Sequence, residues 1–335
     1  MIIWYYHRIL PDDGSAAVST GVFEKQMGYL KKSGYEFIDT EGLKEFFQNP
    51  RQKKRKIVML TFDDGWADNL IWATPILAKF AAKAVIAVNT GLVNENLKVV
   101  RNEKNYEIIS SKSALELATK KTDFSSFLTW NELAEMKKSG IWDIQAHGNS
   151  HLGCYHSFDD IKGFYPENKH WLMEYALGES PFEGAPRAKF ISTLCSPRST
   201  LSDEFRDKLR NSRNNAKRLE ICRNFENPIK ILETEKEFEK RLRDDFSECK
   251  RKLRKNLNVE TDSLFWTWGQ FSDTSIKIAL ECGFKMLFTT EKSPATEKTD
   301  PHMIPRIPAP DKLAEFKLQN ICFTNSLLLP IRKVL

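Results

Sequence analysis

The chain has 335 residues, 41% hydrophobic and 29% charged, enough apolar surface for one large α/β domain or two ordinary ones, and it reads as a soluble globular protein. A net charge of +6 is small for this length and gives no ground for a nucleic-acid partner. The six cysteines contain no CxxC pair and read as reduced or structural; no apolar stretch reaches the length of a spanning helix. MIIWYYHRIL lacks the basic front and small-residue cleavage site of an export signal, so a cytoplasmic location is expected of this sequence as it stands, and a periplasmic or extracellular one if a signal was removed.

IIWYYH reads as a buried first strand, and Phe23, Met27 and Leu30 form a helical stripe that stops at Gly34, before the strand-like YEFI. Thr40 is expected to cap the short helix EGLKEFF. After a lysine-rich loop containing KKRK (53–56), the strand IVMLTF runs into TFDDG at 61–65. Asp-Gly signals a hairpin, but no second alternating strand follows. Trp66, Leu70, Ala73, Leu77 and Phe80 recur at helical spacing instead, with Pro75 as a kink or restart. The doublet Asp63 and Asp64 therefore stands at the carboxyl end of a strand, where α/β sheets place their chemistry. AVIAVNT (84–90) is a further buried strand, and the order strand, helix, strand argues for parallel pairing.

Residues 91–128 are polar and irregular, with one helix around SALELATKK. Thr129 and Glu132 form a capping box for WNELAEMKK, Gly140 ends that helix, and IWDIQAH follows as a strand that leaves His147 at its carboxyl end. Residues 155–260 read as a large insertion in a single domain spanning 1–335, with charged helical stretches at 201–220 and 233–256; the second carries KRKLRK, most simply a solvated helix face. SLFWTWG (263–269), the helix SDTSIKIALECG and the strand KMLFTT complete the pattern.

His147-Gly-Asn-Ser-His151 spaces two imidazoles so that they can share one cation, and one aspartate would complete three ligands, leaving a fourth position open as catalytic zinc requires. Taken alone, this spacing is more common among unrelated histidines. Position 148 is glycine, so this is not the HExxH of zinc proteases and any base must come from elsewhere; TFDDG offers one.

TFDDG ahead of a helix and AHGNSH at the end of a later strand resemble the first two motifs of the NodB-type polysaccharide deacetylases, carbohydrate esterase family 4. The resemblance implies a distorted (β/α) barrel of about seven parallel strands with its groove at their carboxyl edge. It implies hydrolytic N-deacetylation of an N-acetylated sugar in a polysaccharide, a glycan precursor or a glycolipid. It makes Asp63 the general base and Asp64, His147 and His151 the ligands of one divalent metal, for which zinc, cobalt, nickel or iron would all suit. A cation on Asp64 would offset the repulsion between the adjacent carboxylates and leave Asp63 ionised.

The family's third motif finds its nearest match in FWTWGQ (265–270), which places Trp268 and a backbone amide beside it at the oxyanion; Thr267 stands where proline is usual and no arginine precedes it. Arg306, in MIPRIPAP, and Arg198, in CSPRST, are the candidate replacements. IIWYYHRI resembles the opening strand of the circularly permuted branch that deacetylates poly-N-acetylglucosamine, which makes His7 the general acid; His302 follows a loop-like stretch, and His156 and His170 carry no assignment. Two other readings remain: a metal-dependent amidohydrolase for a small non-sugar amide, and a catalytically silent glycan-binding homologue. The basic clusters suit weak contact with an anionic membrane or glycolipid.

Overall fold

Strict alternation along seven short strands decides which side chains meet at the centre of this fold. The computed structural model describes residues 1–11, 18–49, 55–120, 123–167, 173 and 181–324. The strands are β1 (Ile2–Tyr6), β2 (Ile57–Phe62), β3 (Ala84–Val88), β4 (Trp142–Ala146), β5 (Ser263–Phe265), β6 (Met286–Phe288) and β7 (Ile307–Pro308). They lie in the order β6-β5-β4-β3-β2-β1-β7, every pair parallel, with Glu36–Ile38 added beside the start of β2. A parallel bridge from Phe288 to Ile304 brings the chain entering β7 against β6, so the sheet curls back toward β1. This is the distorted barrel of about seven parallel strands that the resemblance implied.

Because side chains alternate with a period of two, one register of each strand points inward and the other faces the helices. The inner set includes Ile3, Ile57, Met59, Val85, Ala87, Phe265, Phe288 and Ile304. The outer set, Ile2, Trp4, Val58, Leu60, Ile86 and Leu264 among it, packs with Phe23, Met27 and Leu30 of the first helix and with Leu77, Leu133 and Phe316. Burying each such side chain contributes roughly 1.5–3 kcal/mol before chain entropy is counted. Continuing the inner register past the strand ends reaches His7, Asp63, His147 and Arg306.

The stretch 155–260 divides in two. Tyr155, Phe164, Phe190, Phe205 and Cys222 form a small core of their own, built on the antiparallel pairs Gly153–Ser157 with Lys189–Ser192 and Ser199–Leu201 with Ile229–Ile231. The 23-residue helix Glu235–Leu257 instead inserts Phe238, Leu242, Phe246, Cys249 and Leu253 into the main core. The charged stretch 201–220 is two helices, Asp203–Asn211 and Asn215–Asn224, because Ser212 and Asn214 break it. KRKLRK lies along the long helix with its charges largely engaged: Arg251 pairs with Glu248, Arg254 with Glu260, and Lys250 and Lys252 donate to the Cys282 and Thr90 carbonyls.

Thr129 and Glu132 form the expected reciprocal cap, with Glu132 also held by Arg101. The cap of the second helix is Asp39, not Thr40; the Thr40 hydroxyl turns to the half-buried Asp143 carboxylate. Pro75 opens the α-helix Thr74–Lys79, which continues from a π-helical turn at Asn69–Ala73. Of KKRK, Lys53 and Lys54 lie outside the described residues, as does His170. Among the described residues no helix is long and apolar enough to cross a membrane.

Candidate metal centre and active-site cleft

At the carboxyl ends of the strands lies a cavity of about 450 Å³, lined by Tyr5, His7, Asp63, Asp64, His147 and His151 together with Arg8, Trp66, Trp268 and Thr290. That volume lies in the usual range for small-ligand clefts. Asp63 continues β2 by one residue, its N–H bonded to the Tyr6 carbonyl, and Asp64 then takes a left-handed conformation, φ 74°, ahead of Gly65 at φ 85°. This reversal sends two successive carboxylates to different tasks: Asp63 faces Arg306, and Asp64 faces the histidines.

Asp64 Oδ1 lies 3.4 Å from His147 Nε2 and 3.2 Å from His151 Nε2, and the three ligand atoms sit within 4.8 Å of one another. Asp64 Oδ2 accepts the Trp66 indole N–H at 3.0 Å. Oδ1 is buried and accepts no well-formed hydrogen bond. His147 Nδ1, 2.9 Å from the Phe265 carbonyl, must be the N–H donor in that contact, which leaves Nε2 turned toward Asp64. A buried carboxylate oxygen with no hydrogen bond of its own, facing two imidazole nitrogens, is a donor set that a cation between them would satisfy. The residues present therefore fit a divalent metal. Burial pushes the Asp64 carboxyl up, but the adjacent His151 and His147 outweigh it and hold it well below the usual carboxylate range.

Asp63 is bound by both arms of Arg306, at 2.7 and 2.9 Å. Arg306 is wholly buried, donates also to the Thr61 hydroxyl and the Thr289 carbonyl, and lies about 5 Å from the Tyr5 and Phe265 ring centres. Desolvation raises the Asp63 carboxyl, yet Arg306, His147 and His7 together hold it below its ordinary value. Of the two candidate arginines, the geometry brings Arg306 to Asp63, whereas Arg198 pairs with Glu233 at the edge of the small subdomain.

His7 is exposed at the cavity wall, its ring edge-on to Tyr5. Trp268 stands at φ 61° in a short turn after β5, and its indole N–H reaches His151 Nδ1 at 3.0 Å. The N–H groups of Gly269 and Gln270 are engaged with the Trp266 and Thr267 carbonyls, so they are not directed at the cavity. Gly269, at φ 65°, has no room for a side chain: a Cβ would fall 1.9 Å from the Thr290 hydroxyl. His302 is a loop residue near Asp300, and His156 is exposed on the Gly153–Ser157 strand, beside a second hollow.

Sequence reasoning did not find Arg8, which is buried against Asp68 at 2.7 Å, bonds the Ile109 carbonyl and lies over the Trp66 ring. Its signal was a charged residue closing an apolar strand. It anchors residues 109–111 against the cavity rim.

An α/β barrel that places one carboxylate and two imidazoles beside a second, ionised carboxylate in an open cleft has the arrangement that metal-assisted hydrolysis requires. Residues 50–181 match the family described as polysaccharide deacetylase. The poly-beta-1,6-N-acetyl-D-glucosamine N-deacetylase of Escherichia coli O157:H7 is 20% identical over 281 residues, covering 84% of this chain and 32% of that protein. The protein of the same name from Staphylococcus aureus (strain MSSA476) is 22% identical over 295 residues, 87% of this chain and 67% of that one. A solved de-N-acetylase from Aggregatibacter actinomycetemcomitans shares the fold with a TM-score of 0.62 at 17% identity, over 95% of this chain and 98% of that one. The chain spans a fifth to a third of the length of the first curated relatives it matches.

Proposed function

We propose that this protein hydrolyses the N-acetyl group of an N-acetylated sugar, with a polymer of N-acetylglucosamine as the favoured substrate class because relatives matching most of the chain are named for that activity. The observation that carries the reading is the Asp64, His147 and His151 cluster set beside an Arg306-bound Asp63 at the floor of one cleft. Asp64, His147 and His151 hold a divalent metal, zinc by preference, which when bound supplies Lewis acidity toward the acetyl carbonyl. Asp63, kept ionised by Arg306, takes a proton from the attacking water. His7, exposed on the wall of the same cleft, delivers a proton to the departing nitrogen, without which an amine is a poor leaving group. Trp268 borders the cleft where the acyl group would lie and, with its backbone amide, helps position the developing oxyanion.

The test is acetate release from N-acetylated glucosamine oligomers and from small acetamides, before and after chelation and zinc return. Release from the oligomers that chelator abolishes and zinc restores supports the reading. Release from small amides alone moves the protein to the non-sugar amidohydrolases, and glycan binding without any release marks a silent homologue.

A further inference from the structure

The long helix Glu235–Leu257 lies outside the barrel and supplies no ligand, yet it reaches the turn between the two histidines. Asp245, buried on its inner face, accepts the backbone N–H of Asn149 at 2.8 Å and also that of Ser150. One helical turn later the buried Cys249 thiol lies against the Gly148 N–H and Thr90. Three successive amides of the loop thus face one side of one helix. The other side of the loop is tied to the chain after β3, by Thr90 N–H to the Gly148 carbonyl at 3.0 Å and the Thr90 hydroxyl to the Asn149 side chain at 3.0 Å. Gly148, at φ 77°, leaves no slack: a Cβ there would come within 3.3 Å of Asp245 and 2.9 Å of Leu194.

We propose that Asp245 is a positioning residue for the metal centre, which by gathering the Asn149 and Ser150 amides fixes the turn that sets His151 opposite His147. Three residues separate the two histidines, and the conformation of that turn brings both Nε2 atoms to within 3.4 Å of Asp64 Oδ1. The carboxylate is buried against a desolvation that pushes it up to about 6, with Arg241 and Lys252 the nearest cations, so it is a poor choice for stability alone. Its value lies in the two amides it orders, since partners beyond the ligands themselves typically change metal affinity by ~10–100-fold.

This inference rests on the metal reading of the site. The experiment measures zinc affinity of the full chain by competition with a chromogenic chelator, alongside the melting temperature and hydrogen exchange of the 147–151 amides in metal-free protein. Asp245→Ala should weaken zinc binding by ~10–100-fold and expose the Asn149 and Ser150 amides to exchange. Asp245→Asn, which keeps one carbonyl acceptor, should fall between that variant and the wild type. Should Asp245→Ala not fold, Asp245→Asn carries the test. A lowered melting temperature with zinc affinity unchanged would overturn the proposal and leave Asp245 a structural residue. A wild type that takes up no zinc would instead refute the metal reading itself, and this inference with it.

Discussion

Replacing Arg306 with methionine removes the cation from Asp63 while roughly keeping the buried volume. Both side chains are withdrawn from water, at 0% and 4% exposure, and the guanidinium also serves the Thr61 hydroxyl and the Thr289 carbonyl. Breaking such a pair from one side leaves a buried charge without a partner, for which about 3–5 kcal/mol of destabilisation is expected. With an unfolding entropy of about 2.1 cal/mol/K per residue, a chain of this length loses roughly 4–7 °C in melting temperature. The loss should depend on pH. In the wild type Arg306 helps hold the Asp63 carboxyl low, so this group contributes stability above the unfolded carboxylate pKa that disappears as pH falls through the lower folded value. In Arg306→Met burial is less opposed and the folded value rises; the penalty is then largest near neutrality and shrinks as acid protonates Asp63. Urea unfolding of chelated protein at pH 8 and pH 5 measures both. Adding Asp63→Asn closes a double-mutant cycle, and the double variant should be less damaged than the two single losses combined. A penalty below about 1 kcal/mol, or strictly additive single changes, would show that the pair is not coupled as its geometry requires.

Asp63→Asn should retain one zinc per chain and lose ~10²–10⁴-fold in acetate release, whereas His147→Ala should lose the zinc; metal analysis with the release assay separates them, and turnover surviving in the first would remove Asp63 from the role of base. His7→Ala should slow hydrolysis of the amide by a similar factor with metal content intact, and an unaltered rate would move the acid to another group. Glu233, bridging Arg198 and Arg241, is held down to about 2 because those partners outweigh burial. The stability it contributes is therefore present above pH 4.5 and lost as pH falls toward 2, so Glu233→Gln should be less stable than wild type at pH 7 and no different at pH 2. An equal difference at both values would contradict this.

The barrel strands were legible because IVMLTF, AVIAVNT and IWDIQAH are short buried runs ended by polar residues, and the doublet after the first of them could only be a strand end once the helical spacing of Leu70, Ala73 and Leu77 was recognised, although Trp66, read with them, lies in the turn and is bridged to Phe127. Arg306 could be no more than one of two candidates, since its contact with Asp63 spans 243 residues and no local pattern encodes that closure. The segment joining Phe288 to β1 was missed for a related reason. Ile304 to Pro308 carries two prolines, reads as loop, and pairs on each side over only a residue or two. Asp245 did leave a trace. It interrupts the buried stripe of Phe238, Leu242, Phe246 and Cys249 with an acid, and a charge on the apolar side of a helix asks for a partner that sequence cannot name.

Trp268 raises the last question the geometry poses. Its indole N–H can only donate, so His151 Nδ1 must accept, and a neutral ring then carries its proton on Nε2. On Nε2 that proton points toward Asp64 Oδ1, 3.2 Å away. Ligation through Nε2 requires the opposite tautomer, with Nδ1 protonated and two N–H groups confronting each other. The tryptophan has little room to withdraw, because its ring packs against Gly153, where even a Cβ would come within 2.7 Å. Zinc held by His151 Nε2 would therefore compete with the Trp268 contact, an opposing contribution of about 1 kcal/mol, the net worth of one such bond. Trp268→Phe should bind zinc several-fold more tightly in the chelator competition while leaving Asp63 and Arg306 untouched. Weaker binding would mean that the indole orients His151 for the metal, and the tautomer argument would fail.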